Sequence, residues 1–270
     1  MGAIVNLQVL PGTSSGASFL SAADVASIDL YNLGLLTEVT EAKFCDVDAS
    51  GYVTGTTSNL PVFGGSTLQT MAPAASVRAP LKYSTTDGQF GIRSGYNADG
   101  SSNSTRSTLR STNMPVPTGS WSASVLAKWD LPSALSYLWA VNDPTLRFGL
   151  ACTNAGVIRL YQNITAGTFA VSAAGVNDGN LHLWTVEWDG TTATVYKDGV
   201  AVITSTTAMA AATDRAFRTF SYNSGASDAT APGGQGAGYW EFHALGKPSA
   251  SVRAYLKAKA LSYHPSLTIA

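Results

Sequence analysis

The chain has 270 residues, 45% hydrophobic and only 12% charged, with a formal net charge of −1. That length can bury a sizeable core. Its scattered single Lys and Arg residues exclude the electrostatic footprint that a nucleic-acid backbone or an anionic membrane surface demands. No stretch is apolar enough for long enough to insert across a bilayer, and the deficit of charge is filled by Gly, Ser, Thr, Ala and Asn, as in turn-rich, many-stranded proteins.

The opening MGAIVNLQVLPG lacks the basic start and small-residue cleavage site of an export signal, and Asn6 stands where myristoylation requires Ser or Thr. Ala3 to Leu10 reads as a strand ended by Pro11-Gly12. Behind Ser21 as a cap, Val25, Ile28, Leu33 and Leu36 recur at helical spacing over Ala22 to Leu36, although Ile28 to Leu36 fits a strand equally well.

Phe44 to Gly55 supports two readings. Asp46, Asp48 and Ser50 match the first half of a calcium loop, but Thr57 stands where the bidentate Glu belongs, so a hairpin turning at Asp48 to Gly51 is the preferred reading and no metal site is expected. Cys45 and Cys152 are far apart and are read as reduced and buried. With no export signal, the sequons at Asn103 and Asn163 are expected to stay unmodified.

From Ser58 to Pro80 the chain carries Pro61, Gly64, Gly65, Pro73 and Pro80 with little alternation, the character of a connector. A boundary here divides a small α/β anchoring and oligomerisation segment, residues 1–79, from a larger unit, residues 80–270. After Pro80, turn signals recur every eight to twelve residues or so, the rhythm of an all-β antiparallel sandwich or jelly roll. Predicted strands cover Leu81 to Ser84, Gln89 to Ser94, Ser107 to Ser111, Ser120 to Trp129, Leu135 to Val141, Thr145 to Cys152, Gly156 to Gln162 and Thr168 to Ala173. Later ones cover Ala201 to Ser205, Arg215 to Tyr222 and Gly238 to Leu245. The segment Asn223 to Ala237 is a long loop rich in Gly, Ala and Ser.

Leu181 to Val202 organises the whole. His182, Trp184, Val186 and Trp188 alternate with Leu181, Leu183, Thr185 and Glu187, and Asp189-Gly190 and Asp198-Gly199 supply two turns that tolerate positive φ. Near the end, Pro248 and Ser249 open a short helix through Leu261 with Val252, Leu256 and Ala260 on one face. Leu181 and Leu183 would be awkward in water, and either that helix or the N-terminal segment is expected to cover them.

Trp184, Val186, Trp188, Asp189, Gly190, Thr191, Tyr196, Asp198 and Gly199 resemble a pattern of the laminin-G-like branch of the concanavalin A-like lectin and glucanase superfamily. The strand Tyr239 to Leu245 followed by a short helix is similar to the ending of laminin-G-like members from bacteriophages and bacterial surfaces. The resemblance covers roughly residues 80 to 265. It implies a jelly-roll sandwich and, joined with low charge and no export signal, a virion structural protein assembled in the bacterial host cytoplasm.

Catalytic members of that superfamily align acids on one strand face as E-x-D-x-E or E-x-D-x-x-E; only Glu187 and Asp189 are present, and Asp189 already serves a turn. His182, His243 and His264 form no zinc spacing, and no nucleophile elbow or phosphate-binding glycine loop occurs, so neither catalysis nor a cofactor is expected. Trp121, Trp129, Trp184 and Trp188 read as core. Trp139 and Trp240 lie nearer loop ends and, with Asn142, Asp143, Tyr222 and Asn223, make a candidate surface ligand site, core packing being the preferred reading for each.

Three functions are carried forward. The first is a non-enzymatic virion protein, a capsid decoration, spike or tail-associated component that forms a homo-oligomer, binds other virion proteins and contacts cell-surface glycans. The second is a secreted carbohydrate-binding module. The third is a glycoside hydrolase with Glu187 as its catalytic acid.

Overall fold

The structure is a computed structural model and describes residues 119–132, 135–143, 145–210, 214–219, 236–244 and 246–270, together with seven short strands ahead of these. Those seven are β1 (Gly34–Glu38), β2 (Leu60–Phe63), β3 (Gln69–Pro73), β4 (Lys82–Ser84), β5 (Gly91–Ser94), β6 (Leu109–Ser111) and β7 (Met114–Pro115). Then follow β8 (Trp121–Trp129), β9 (Ser136–Asp143), β10 (Thr145–Cys152), β11 (Ile158–Asn163), β12 (Thr168–Val171), β13 (Leu181–Trp188), β14 (Ala193–Lys197), β15 (Val200–Ser205), β16 (Asp214–Thr219) and β17 (Gly236–Ala244). One helix, α1 (Ala250–Tyr263), follows them.

Every pairing is antiparallel. One layer runs β15-β14-β13-β8-β17-β1 and the other β12-β11-β10-β9-β16-β6, with β2 and β3 linking the two through β1 and β6. This is the all-β sandwich with a C-terminal helix that the turn rhythm predicts.

The residues that alternate inward explain why two layers form. Trp121, Val125 and Trp129 of β8 and Trp184, Val186 and Trp188 of β13 pack against Trp139 and Val141 of β9, Phe148 and Leu150 of β10, and Ile158 and Leu160 of β11. Trp129 and Trp184 meet edge to face at 5.9 Å, and Trp121 stacks on Phe148 at 4.9 Å. Such pairs add roughly 0.5–1.5 kcal/mol each beyond the area they bury. The Trp129 Nε1–H donates to Ser136 Oγ at 3.2 Å, so its polar edge is satisfied inside the core.

The opposite face of β13 is also covered. Leu181 and Leu183, with Leu126 and Phe242, pack against Val252, Leu256 and Ala260 of α1 and against Ile269. Of the two covers left open by the sequence, the helix packs directly on these leucines. Ser249 Oγ accepts the Val252 N–H at 3.2 Å and caps the helix.

In the N-terminal part, Gly34 to Leu36, which fit a helix and a strand equally well in the sequence, belong to β1, which pairs with β17 over five residues from Gly34↔Ala244 to Glu38↔Trp240. The leucines that fit helical spacing also suit a strand, and pairing with an existing edge decides between the two. The supposed connector contributes β2 and β3. Pro61 is tolerated because β1 pairs only with Val62 and Phe63, leaving Pro61 where no ladder bond to β1 is required. Strands from ahead of residue 80 thus share hydrogen bonds with strands from beyond it. The strand read at Ala3 to Leu10, the turn at Asp48 to Gly51, and Cys45 lie outside the described residues.

Candidate functional site

Asp198 and Gly199 form the two-residue turn between β14 and β15, with φ of 52° and 82° and with Lys197 facing Val200. Asp189 opens a wider loop, residues 189–192, in which its Oδ1 accepts the Thr191 and Thr192 N–H groups at 2.9 and 2.7 Å and the Thr191 hydroxyl at 2.8 Å. These hydrogen bonds hold the Asp189 carboxyl below the usual carboxylate range.

Between the outer face of β13 and helix α1 lies a cleft of about 310 Å³. Because side chains alternate, Leu183, Thr185 and Glu187 all face it. Register places Ser124 of β8 and Tyr196 of β14 on either side of Thr185, giving a row of three hydroxyls across three strands. Ser124 Oγ and Thr185 Oγ1 are 2.9 Å apart. From the helix, Arg253 and Lys257 stand one turn apart on the same face. Ile269 and Ala270 close the far end, where the Ala270 N–H donates to Asp198 O at 2.8 Å.

Glu187 is the charged floor of this cleft, with its side chain 5% exposed. Arg253 Nε and Nη2 donate to its two oxygens at 2.9 and 2.7 Å, a bidentate fork, and Lys247 Nζ lies 3.9 Å away. Both carboxylate oxygens are therefore committed to the helix. Asp189, the other acid on that strand face, is committed to its own turn.

At the other end of β13, His182 sits between two acids. Its Nδ1 is 2.6 Å from Asp198 Oδ2 and its Nε2 is 2.8 Å from Asp178 Oδ1. Asp198 Oδ1 accepts the Leu183 N–H, and Lys197 Nζ donates to Val176 O and Asp178 Oδ2. Burial works to raise the Asp178 carboxyl, but hydrogen bonds from His182, the Asn180 N–H and Lys197, with the charge of His182, together hold it well below the usual range. Both ring nitrogens are used, so this histidine ties the 178 loop to the 198 turn and leaves no nitrogen for a nucleophile. Among the described residues, no group of three or more His, Cys, Asp or Glu side chains could hold a metal ion.

Cys152 is a buried free thiol, as read. Desolvation, only partly offset by a hydrogen bond from Asn177, pushes its pKa up to about 11, which makes it a poor nucleophile.

Trp139 takes the core reading: it is fully buried between the layers, edge to face with Trp121 at 6.1 Å, because its alternation on β9 points inward. Asn142 and Asp143 end β9, at register with Leu146 and Thr145 of β10 where the chain reverses between the two strands. Trp240 belongs to β17 in the other layer, at register with Leu126 and Glu38. Tyr222, Asn223, Asp46, Asp48 and Ser50 lie outside the described residues. Sequence reasoning missed Arg253, Lys257 and Tyr196; the helical i, i+4 spacing of the two cations was its single available signal.

No family model matches the chain, and no curated protein does. Solved structures with a similar fold include botulinum neurotoxin type C, described with two ganglioside molecules, at a TM-score of 0.56 and 10% identity over 87% of this chain and 53% of that one. The botulinum neurotoxin serotype D ligand binding domain in complex with N-acetylneuraminic acid gives 0.53 and 10% over 88% and 53%. The binding domain of botulinum neurotoxin DC in complex with rat synaptotagmin II gives 0.51 and 11% over 72% and 49%. The likeness is one of fold, a β-sandwich, and the chain spans about half the length of these structures.

Proposed function

We propose that this chain is a non-enzymatic binding module whose sandwich contacts glycans, serving as a structural protein of a bacteriophage virion. The observation that carries the glycan reading is the shared sandwich of receptor-binding domains, among them one bound to N-acetylneuraminic acid. The virion setting rests on the laminin-G-like pattern from Trp184 to Gly199 and on the strand-then-helix ending. In this reading the protein is a capsid decoration, spike or tail-associated component, assembled in the bacterial cytoplasm as a symmetric homo-oligomer.

A non-catalytic role is supported by the state of the two acids. Retaining hydrolysis needs a nucleophile and an acid about 5 Å apart and both free to reach a sugar. Glu187 is forked to Arg253 and Asp189 is held by turn amides. The test is a glycan array with the purified protein, run beside co-purification with intact particles. Glycan binding with particle association supports the proposal. Binding without particles favours the secreted module, and β-glucan hydrolysis abolished in Glu187→Gln favours the hydrolase.

A further inference from the structure

We propose that the free edge of β12 pairs antiparallel with β12 of a second copy of this chain, joining one layer of each molecule into a continuous sheet across a two-fold axis. This inference rests on the homo-oligomer reading above and names the contact that makes the oligomer.

In the layer β12-β11-β10-β9-β16-β6, β12 pairs with β11 alone, and the neighbouring edge of the other layer is β15. Monomeric proteins guard such edges with charge, proline or a bulge. β15 carries a bulge at Val202, where its register with β14 shifts. β12 has none of these guards. From Leu160 to Asn177 there is no charged residue and no proline, and Phe169 to Val171 run in unbroken register with β11. Yet Phe169 and Val171 are 41% and 53% exposed. A regular, uncharged edge that leaves apolar side chains in water is a pairing surface.

The direction of its backbone groups says what fits it. The Ser172 N–H donates to Ile158 O at 3.0 Å, so Ile158 and Ser172 are a hydrogen-bonded pair of the ladder. Hydrogen bonding alternates along antiparallel strands, which makes Leu160 and Ala170 the next such pair. The N–H and C=O groups of Phe169 and Val171 therefore point away from β11. A two-fold axis at Ala170 sets Phe169 opposite Val171 of the second copy, and Val171 opposite its Phe169. Each pair exchanges two hydrogen bonds, and every outward group of the two residues is used. Each also places an aromatic ring beside a β-branched side chain, a favourable cross-strand neighbour. An axis at Phe169 would set Val171 against Gly167, and one at Val171 would set Phe169 against Ala173, so either loses that packing. The strand offers no charge by which to select a foreign peptide; what it matches is itself.

Phe169 is already held in place, with Tyr161 at 5.0 Å between ring centroids and the Arg159 guanidinium 4.7 Å above its ring. Little side-chain freedom is left to lose on pairing. The two Arg159 side chains do not oppose it. They stand three strand spacings apart, about 14 Å, beyond the ~8 Å screening length at physiological salt.

The experiment is sedimentation equilibrium of the full chain from about 1 μM to about 1 mM, a span that covers modest affinities, with hydrogen exchange at both ends of it. The expected result is a reversible dimer. The Phe169 and Val171 amides should exchange at least tenfold more slowly in the concentrated sample, while Ala170, already bonded to β11, stays slow in both. Val171→Pro removes an outward donor without touching the bonds to β11, and Val171→Lys adds the missing charge. Each should weaken association at least tenfold with unchanged far-ultraviolet circular dichroism. Ala170→Cys should cross-link to its copy on oxidation, because the two Cα atoms would lie about 4.5 Å apart, and a Thr168→Cys control should not. An oligomer whose Phe169 and Val171 amides keep exchanging fast, or that survives Val171→Pro, overturns the β12 contact and leaves the homo-oligomer reading standing. A chain that stays monomeric throughout overturns both.

Discussion

A carboxylate only 5% exposed is costly to keep ionised unless donors meet both of its oxygens, and Arg253 provides that pair for Glu187. Arg253→Ala removes the fork and leaves a buried acceptor short of partners, so urea denaturation should show a loss of about 1–3 kcal/mol. Because the guanidinium is itself 46% exposed, the lower half of that range is expected. Asp178 provides a pH-dependent counterpart. Its pKa is depressed in the folded state from an ordinary 3.8, so its contribution is fully present above that value and is lost as the pH falls further. Its side chain is 44% exposed, which keeps the effect below about 1 kcal/mol. Midpoints of denaturation measured from pH 6 down to pH 2.5 should fall less steeply in Asp178→Asn than in the parent chain.

At the scale of elements, the hairpin of β14 and β15 and the chain after α1 depend on each other. Gly199 has a φ of 82°, and a Cβ there would come within 2.8 Å of Ala270 O. Gly199→Ala should therefore destabilise by about 1–3 kcal/mol through strain and clash together, and faster hydrogen exchange of the Ala270 amide should report the loosened contact. Helix α1 is held mainly by its apolar face. A chain ending at Lys247 would expose Leu126, Leu181, Leu183 and Phe242 on one side of the sheet. Size-exclusion chromatography and dye binding should show that truncated chain aggregating or binding a hydrophobic dye, whereas a fully monomeric, dye-silent product would contradict the role assigned to α1.

At the scale of the molecule, the inter-layer core was legible because it obeys period two. Trp184, Val186 and Trp188 face inward as their alternation requires, and the Asp198-Gly199 turn and the apolar face of α1 follow from equally local rules. Trp139 lies in the core although it stands near a turn, because the residue's parity points inward. The strands β2 and β3 escaped notice because prolines and glycines hide a strand whose reason to form lies in its neighbours.

What the sequence determines by itself is thus the sandwich's repeating grammar: which residues point inward, where the chain turns, and that one face of β13 needs a cover. Only the tertiary structure decides that α1 is that cover, that Glu187 is bound to Arg253, and that Ser124, Thr185, Tyr196 and Lys257 line one cleft. The physical reason is range. Alternation and turn chemistry act within a few residues, whereas this cleft joins groups from position 124 to position 270 whose meeting depends on strand order and helix docking.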